Sequence, residues 1–203
     1  MTRILGVNGI LSDGSESIDI LLKELSAFGH TSVDAVYPKT HLFRFQTYDK
    51  GRQYQDADTI IKNYYTSNMV VVAHSRGCLV VWRMMEVGCR FKSVFLFRPA
   101  MNRDFSLPLD QVNVVCVFSP YDRAIKWGGK LPFNDFGNAG RYGLDDPRVI
   151  NIKAPKYENS EFWKHSDDFL YPQVKIWASW INDYMKHTEN KEFQGCVLLP
   201  KFY

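Results

Sequence analysis

The chain has 203 residues, of which 45% are hydrophobic, and its formal net charge is +3 at pH 7. This length and apolar content predict a single domain over residues 1–203, with residues 188–203 as a C-terminal tail. The small charge and the dispersed basic residues argue against a nucleic-acid partner. No apolar run is long enough for a membrane span, and the N-terminal run is too short for a signal peptide, which favours a cytoplasmic protein.

Cysteine and histidine usage argues against two further kinds of site. The chain has four dispersed cysteines without a CxxC pair: Cys78, Cys89, Cys116 and Cys196. Two of them, Cys78 and Cys116, lie in apolar segments and are predicted to be buried thiols. The five histidines form no HxxxH or HxH pair, so no metal site and no cofactor is expected.

Extended and helical patterns alternate along the chain. Strands are predicted at residues 3–8, 31–37, 68–74, 92–97, 113–118 and 149–153. Helices are predicted at residues 15–28, 53–66, 76–87 and 167–187, with Pro172 in the first turn of the last. Residues 38–52 are predicted to be an aromatic, basic loop, and residues 123–147 a long insertion without regular structure. This order predicts an α/β fold, a mostly parallel six-stranded sheet with helices on both faces.

The segment around Ser75 carries the strongest functional signal. The apolar run that begins at Met69 ends at Ser75, and a helical pattern starts at the next residue. A strand that meets a helix this abruptly needs a very sharp turn, which exposes the serine hydroxyl above the edge of the sheet. The small residues Ala73 and Gly77 allow the two backbones to approach closely. This is the geometry of a nucleophile elbow; the alternative is an ordinary strand-turn-helix with a surface serine.

A serine nucleophile needs a base, usually an imidazole that is oriented by a carboxylate. Asp122 follows the strand at residues 113–118 within a few positions, and His165 lies in the loop before the last helix. Both are therefore expected beyond the carboxyl ends of the strands, where sites in open parallel sheets lie. Asp145 or Asp146 is the alternative orienting acid if the long insertion folds back.

Other titratable residues near these positions have simpler structural interpretations. His74 directly precedes Ser75, so its side chain leaves the strand on the opposite side and is predicted to pack beneath the turn. Asp167 and Asp168 are predicted to cap the last helix.

An oxyanion hole needs two backbone amides that face the charge developing on the substrate oxygen. Arg76 is expected to supply one, because it begins a helix whose N-terminus favours negative charge. Ile10 is expected to supply the second, with Leu11 as the alternative. The preceding turn, Asn8-Gly9, is expected to lie next to the substrate, although it could also be a simple turn dipeptide.

The turn at Ser75, the strand-end carboxylate, the late histidine and the Asn8-Gly9 loop together resemble the α/β-hydrolase family. The resemblance runs from residue 3 to about residue 187. It implies a minimal, lidless serine esterase or lipase without a cap domain, and the Ala-His-Ser-x-Gly sequence is similar to the elbow of small lidless bacterial lipases. The resemblance implies cleavage of an ester, thioester or amide through an acyl-enzyme. It does not indicate which of these three bonds is cleaved.

The expected partner is a small-molecule acyl substrate. Aromatic loop residues, in particular Trp127 and Trp163, favour an apolar pocket for it, although they could equally pack the loops onto the body. The same applies to Phe43, Phe45, Tyr48, Phe133 and Phe136. Arg76, with Arg44 or Arg123 nearby, favours an anionic substrate group or is a solvated residue at the helix start. A non-catalytic binding protein and an acyltransferase stay open as alternatives, and the oligomeric state is left open.

Overall fold

A computed structural model of the chain describes residues 1–9, 18–35, 50–108, 113–128, 136–157, 164–189 and 200. The strands are β1 Arg3–Val7, β2 Thr31–Asp34, β3 Val70–His74, β4 Ser93–Phe97, β5 Val114–Phe118 and β6 Val149–Lys153. The α-helices of the described residues are α1 Ile18–Ala27, α2 Lys50–Tyr64, α3 Arg76–Glu86, α4 Arg123–Gly128, α5 Ala139–Tyr142 and α6 Gln173–Glu189. None of these helices combines the length and apolarity that crossing a bilayer requires.

The six strands form one sheet in the order β2-β1-β3-β4-β5-β6, and every neighbouring pair is parallel. The predicted fold class is therefore confirmed. The chain passes from β1 outward to β2 and then returns to place β3 on the other side of β1. Parallel sheets bind ligands beyond the carboxyl ends of the strands at such a change of direction. Gly9 follows β1 and Ser75 follows β3, so both lie at this point.

Alternate side chains of the buried strands enter two separate apolar cores. Val71 and Ala73 of β3 join a cluster with residues of α2 and α3, whereas Val70 and Val72 join a cluster with α1 and α6. All five residues of β3 are buried. Burial on both faces explains why this strand reads as a continuous apolar run.

Two connections are more regular than the sequence predicts. Helix α2 begins at Lys50, so the end of the predicted loop at residues 38–52 is helical. The insertion at residues 123–147, predicted to lack regular structure, contains α4 and α5; its residues 129–135 lie outside the described part. Helix α4 forms because the buried Asp122 carboxylate accepts the Ile125 amide at 2.8 Å and satisfies a free donor of the first turn.

The last helix starts later than predicted. A 3₁₀ turn spans Asp167–Phe169, and α6 begins only at Gln173, so Pro172 directly precedes the helix instead of occupying its first turn. The prediction that Asp168 caps this helix is wrong. Its carboxylate is buried and pairs with Arg98 at 2.5 Å. A buried charge without an opposite charge is costly, so this carboxylate pairs with the guanidinium and does not cap the helix.

The three described cysteines are free and buried, which confirms the prediction for Cys78 and Cys116. Burial raises the pKa of the Cys116 thiol to about 12, so this residue behaves as a small apolar side chain. Cys196 lies outside the described residues.

Candidate active site

Ser75 occupies a one-residue turn between β3 and α3. The strand ends at His74 and the helix begins at Arg76, and Ser75 has a φ of 55° and a ψ of −124°. A positive φ is strained for a residue other than glycine, and such strain concentrates at functional sites. The surrounding backbone holds the turn, since the Ser75 amide donates to Phe97 at 3.0 Å and its carbonyl accepts the Ala100 amide at 3.1 Å.

Two glycines bring the end of β1 and its loop against this turn. A Cβ at Gly77 would lie 2.2 Å from the carbonyl oxygen of Val7, so the first turn of α3 can approach β1 only because Gly77 has no side chain. A Cβ at Gly9 would lie 2.7 Å from the Cβ of Ser75. The loop after β1 therefore reaches Ser75, and any side chain at Gly9 would collide with it.

The side chain of Asn8, predicted to lie next to the substrate, bonds to neighbouring elements of the fold. Its side chain is nearly buried, and its Oδ1 accepts the amide of Ile18 at 3.3 Å. Its Nδ2 donates to Asp19 at 3.3 Å and to Asp34 at 3.2 Å. These bonds attach the end of β1 to the start of α1 and the end of β2. Asn8 therefore anchors the base of the Gly9 loop.

Asp122 and His165 meet beyond the carboxyl ends of the strands. Nδ1 of His165 lies 2.6 Å from Oδ2 of Asp122, while the other carboxylate oxygen accepts the Ile125 amide. The carboxylate is fully buried, and 16% of the His165 side chain is exposed. An imidazole that donates from Nδ1 to a carboxylate keeps Nε2 as its basic nitrogen.

The alternative acids point elsewhere. Asp145 pairs with Arg103. Asp146 pairs with Arg148 at 2.6 Å and accepts the Leu107 amide at 2.7 Å. The hydrogen bonds from Arg148, partly offset by desolvation, lower the pKa of the Asp146 carboxyl. Both carboxylates are therefore engaged within the 103–148 region, and the alternative in which either one orients His165 is excluded.

His74 connects the Ser75 turn to the segment that carries His165. Its imidazole is 4% exposed, and its Nε2 lies 3.1 Å from the carbonyl oxygen of His165. The centroids of the two imidazole rings are 4.7 Å apart. Burial is the main cause that holds the pKa of His74 well below the ordinary histidine value, and the neighbouring His165 lowers it further. The ring is therefore neutral, and Nε2 carries its proton because a carbonyl can only accept. The sequence predicted the burial but not this contact.

Arg76 is buried, and both sequence-based interpretations of its side chain are wrong. Its guanidinium is 1% exposed and donates to Asp56 of α2 at 2.7 Å, and Arg52 pairs with the same carboxylate at 3.2 Å. The side chain is thus neither a solvated cation nor a receptor for an anionic substrate group. The backbone amide of Arg76 is the first of α3 and adjoins Ser75.

The aromatic residues proposed for a substrate pocket divide into three groups. Trp127 lies on α4 and is 62% exposed, whereas Phe136 is buried in the apolar cluster that also contains residues of α2 and α3. Phe136 therefore packs the insertion onto the body, which is one of the two interpretations left open for these aromatic residues. The remaining residues named in these predictions lie outside the described part of the chain: Ile10, Leu11, Phe43, Arg44, Phe45, Tyr48, Phe133 and Trp163.

Solved structures of the same fold match nearly the whole chain. Mouse alpha/beta hydrolase domain-containing protein 10 is 12% identical, with a TM-score of 0.59 and coverage of 91% of this chain and 89% of that one. The ydeN gene product of B. subtilis is 14% identical, with a TM-score of 0.56 and coverage of 92% and 100%. An esterase from Pyrococcus furiosus is 12% identical, with a TM-score of 0.53 and coverage of 92% and 82%. No protein-family model and no curated protein matches the sequence. At these identities the similarity establishes a shared fold.

Proposed function

We propose that this chain, which has the α/β-hydrolase fold, is a serine hydrolase that cleaves a carboxylic ester, thioester or amide through an acyl-enzyme. The observation that carries the proposal is the 2.6 Å contact between Asp122 and His165, at the same sheet edge as the strained turn of Ser75. An imidazole oriented by a buried carboxylate is the arrangement that activates a serine hydroxyl. The fold is shared with an esterase, and this is compatible with the proposal without choosing the substrate.

Ser75 is the nucleophile of the proposed reaction. Its Oγ attacks the acyl carbonyl carbon while its proton passes to Nε2 of His165. Asp122 accepts the Nδ1 hydrogen of His165, which fixes the required tautomer and stabilises the imidazolium that forms. Support comes from His74, which adjoins Ser75 in the chain and contacts both the ring and the carbonyl of His165.

Backbone amides stabilise the oxyanion in this mechanism. Arg76 supplies one amide, since it lies beside Ser75 at the positive end of α3. Ile10 is the proposed second donor, and the close approach of Gly9 to Ser75 supports a role for this loop. When the tetrahedral intermediate collapses, His165 protonates the leaving alcohol, thiol or amine. Water, deprotonated by His165, then releases the acid.

A series of p-nitrophenyl esters of increasing acyl length tests the proposal and measures the substrate range. Ser75→Ala is expected to lower kcat by about 10⁶-fold, as for other serine-histidine-aspartate enzymes. Ser93→Ala is the matched control. Ser93 is buried at the opposite end of the strands, and its hydroxyl has no hydrogen-bond partner among the described residues, so this variant is expected to retain activity.

Full activity of Ser75→Ala would overturn the proposal. A wild-type protein that cleaves none of the esters and does not react with a fluorophosphonate would instead support a non-catalytic binding protein. Formation of a new ester in preference to the free acid, when an alcohol is added, would identify an acyltransferase with the same nucleophile.

A further inference from the structure

Three neighbouring strands each hold one point of the segment that carries His165. His74, at the end of β3, contacts the carbonyl oxygen of His165 at 3.1 Å. Arg98, directly after β4, donates through Nη1 to the carbonyl oxygen of Lys164 at 3.3 Å. Asp122, after β5, holds the ring itself at 2.6 Å. Two consecutive carbonyls and the imidazole are thus fixed from three adjacent strand ends.

Arg98 is itself held by a buried carboxylate. Its Nε donates to Oδ2 of Asp168 at 2.5 Å, and the two side chains are 1% and 0% exposed. Oδ1 of Asp168 accepts the hydroxyl of Tyr157 at 2.8 Å and the indole NH of Trp177 at 3.2 Å. Burial is the main cause that raises the pKa of Tyr157 far above its ordinary value, and the adjacent Asp168 raises it further. The hydroxyl therefore stays protonated and donates. Both oxygens of the carboxylate therefore have partners.

Apolar side chains in this space would avoid the cost of burying two charges. Removing two charges from water carries a penalty that the pair recovers only with good geometry, and apolar replacements often stabilise a protein equally well. Arg98 also has a φ of 47°, an unfavourable conformation for a residue with a side chain. The strain and the buried charge occur at a residue that contacts the backbone immediately before His165. This location indicates a role in placing that residue.

The chemistry of arginine explains why this position is not a lysine. A planar guanidinium donates in several fixed directions, so Arg98 bonds Asp168 through Nε and the Lys164 carbonyl through Nη1. A lysine ammonium at the same position is a point charge and does not reproduce that fork.

We propose that Arg98 and Asp168, together with His74, are positioning residues that hold the backbone at residues 164–165 so that the His165 ring meets Asp122. We call His74, Arg98 and Asp168 the histidine clamp. Its contribution to catalysis rests on the proposed function, in which His165 is the base. The placement of the ring can be measured without turnover.

Arg98→Lys tests the clamp against Arg83→Lys as a matched control. Arg83 is also a fully buried arginine, but it bonds Gln53 of α2 at 3.0 Å and Glu86 of its own helix, α3, at 2.7 Å. Both variants replace a buried guanidinium by an ammonium. Only Arg98→Lys is expected to weaken or shift the downfield proton resonance of His165 Nδ1 and to lower kcat, by about 10²-fold for a displacement near 1 Å. KM is expected to stay close to the wild-type value in both variants.

Asp168→Asn is the second probe, because it keeps the size of the side chain and removes its charge. Its effects are expected to have the same direction and to be smaller. Circular dichroism identifies which of the two clamp variants is fully folded at the assay temperature. The His165 resonance and the kcat of that folded variant test the proposal. A folded clamp variant with the His165 resonance and the kcat of Arg83→Lys would overturn the proposal.

The resonance and the kinetics separate the two hypotheses. If the wild-type protein has no esterase activity but its His165 resonance depends on Arg98, the clamp is supported and the proposed function fails. If the wild-type protein is active and the resonance and kcat are unchanged in the clamp variants, the clamp fails and the proposed function stands.

Discussion

The histidine clamp and the α2–α3 contact are two buried polar clusters with similar chemistry and different surroundings. Between α2 and α3, Arg76 pairs with Asp56 at 2.7 Å, so that the charges join one helix to another. In the clamp, Arg98 bonds a carboxylate and also a backbone carbonyl next to His165. In the proposed clamp the buried ion pair places His165, whereas the pair between α2 and α3 fastens two helices together. We propose that the atoms each pair contacts, more than its charge or burial, decide between these roles.

Asp122→Asn compares the surroundings of His165 with the α2–α3 contact, and after Ser75→Ala it gives the largest expected loss of kcat. The amide can donate to Nδ1 of His165 and so stabilise the tautomer in which Nε2 carries the proton and is no longer basic. We expect kcat to fall by about 10⁴-fold with little change in KM. Asp56→Asn, the same change between α2 and α3, is expected to lower the unfolding midpoint and to reduce kcat far less. Equal losses of kcat in the two variants would contradict the proposal that Asp122 orients His165.

Asp56→Ala is expected to have the largest effect on stability. It leaves the buried Arg76 guanidinium without the Asp56 carboxylate, which typically costs about 3–5 kcal/mol in the free energy of unfolding. Urea denaturation measures this loss. Asp58→Ala on the same helix is the control, because Asp58 and its partner Lys62 are both exposed and such pairs contribute little. Losses of similar size in the two variants would show that the buried pair is not a structural fastening.

Gly9→Ala tests whether the loop after β1 serves the site at Ser75. The added methyl group would lie 2.7 Å from the Cβ of Ser75, so the loop must move away from it. Loss of one oxyanion donor costs about 10²–10³-fold in kcat, and we expect a decrease of this size. Gly128→Ala at the end of α4 is the control, since a Cβ there meets no described atom within 4 Å. A Gly9→Ala protein with the kcat of this control would show that the loop is not part of the site.

His74 gives the smallest expected effect, a pH dependence of stability. In the folded protein, desolvation is the main cause that lowers the pKa of His74, and His165 lowers it further. In the unfolded chain His74 titrates near pH 6.5. Below that pH the unfolded state binds more protons than the folded state, so the free energy of unfolding falls as the pH decreases. His74→Phe removes this contribution, and its thermal midpoint should depend less steeply on pH between about 7 and 5. Parallel curves for the two proteins would contradict the assignment of a neutral, buried His74.

Local patterns predicted the sheet and brought the candidate site residues to one edge of it. Continuous apolar runs identify strands that are buried on both faces, and the topology of a parallel sheet brings their carboxyl ends together. For that reason the positions of Ser75, Asp122 and His165 in the chain were enough to place them at one edge. The bonds of Asn8 to α1 and β2 were not predicted, because a strand-end asparagine has the same local pattern whether it faces a ligand or caps a neighbouring helix.

The two buried ion pairs could not be predicted because their partners are far apart in the chain. Arg98 and Asp168 are separated by 70 residues, and Arg76 and Asp56 by 20. An arginine at a helix start or after a strand has the same local pattern whether it is solvated or buried. One signal was available for Arg98: it directly follows a buried strand at the edge where the site was expected. The role of His74 follows from a contact with a segment 91 residues away.

Reaction with a fluorophosphonate, followed by mass spectrometry of the intact protein and of its peptides, tests the reactivity of Ser75 directly. We predict one adduct on the wild-type protein, located on Ser75, which is absent in Ser75→Ala and forms more slowly in His165→Gln. An adduct on another residue, or a wild-type protein that stays unmodified, would contradict the assignment of Ser75 as a nucleophile activated by His165.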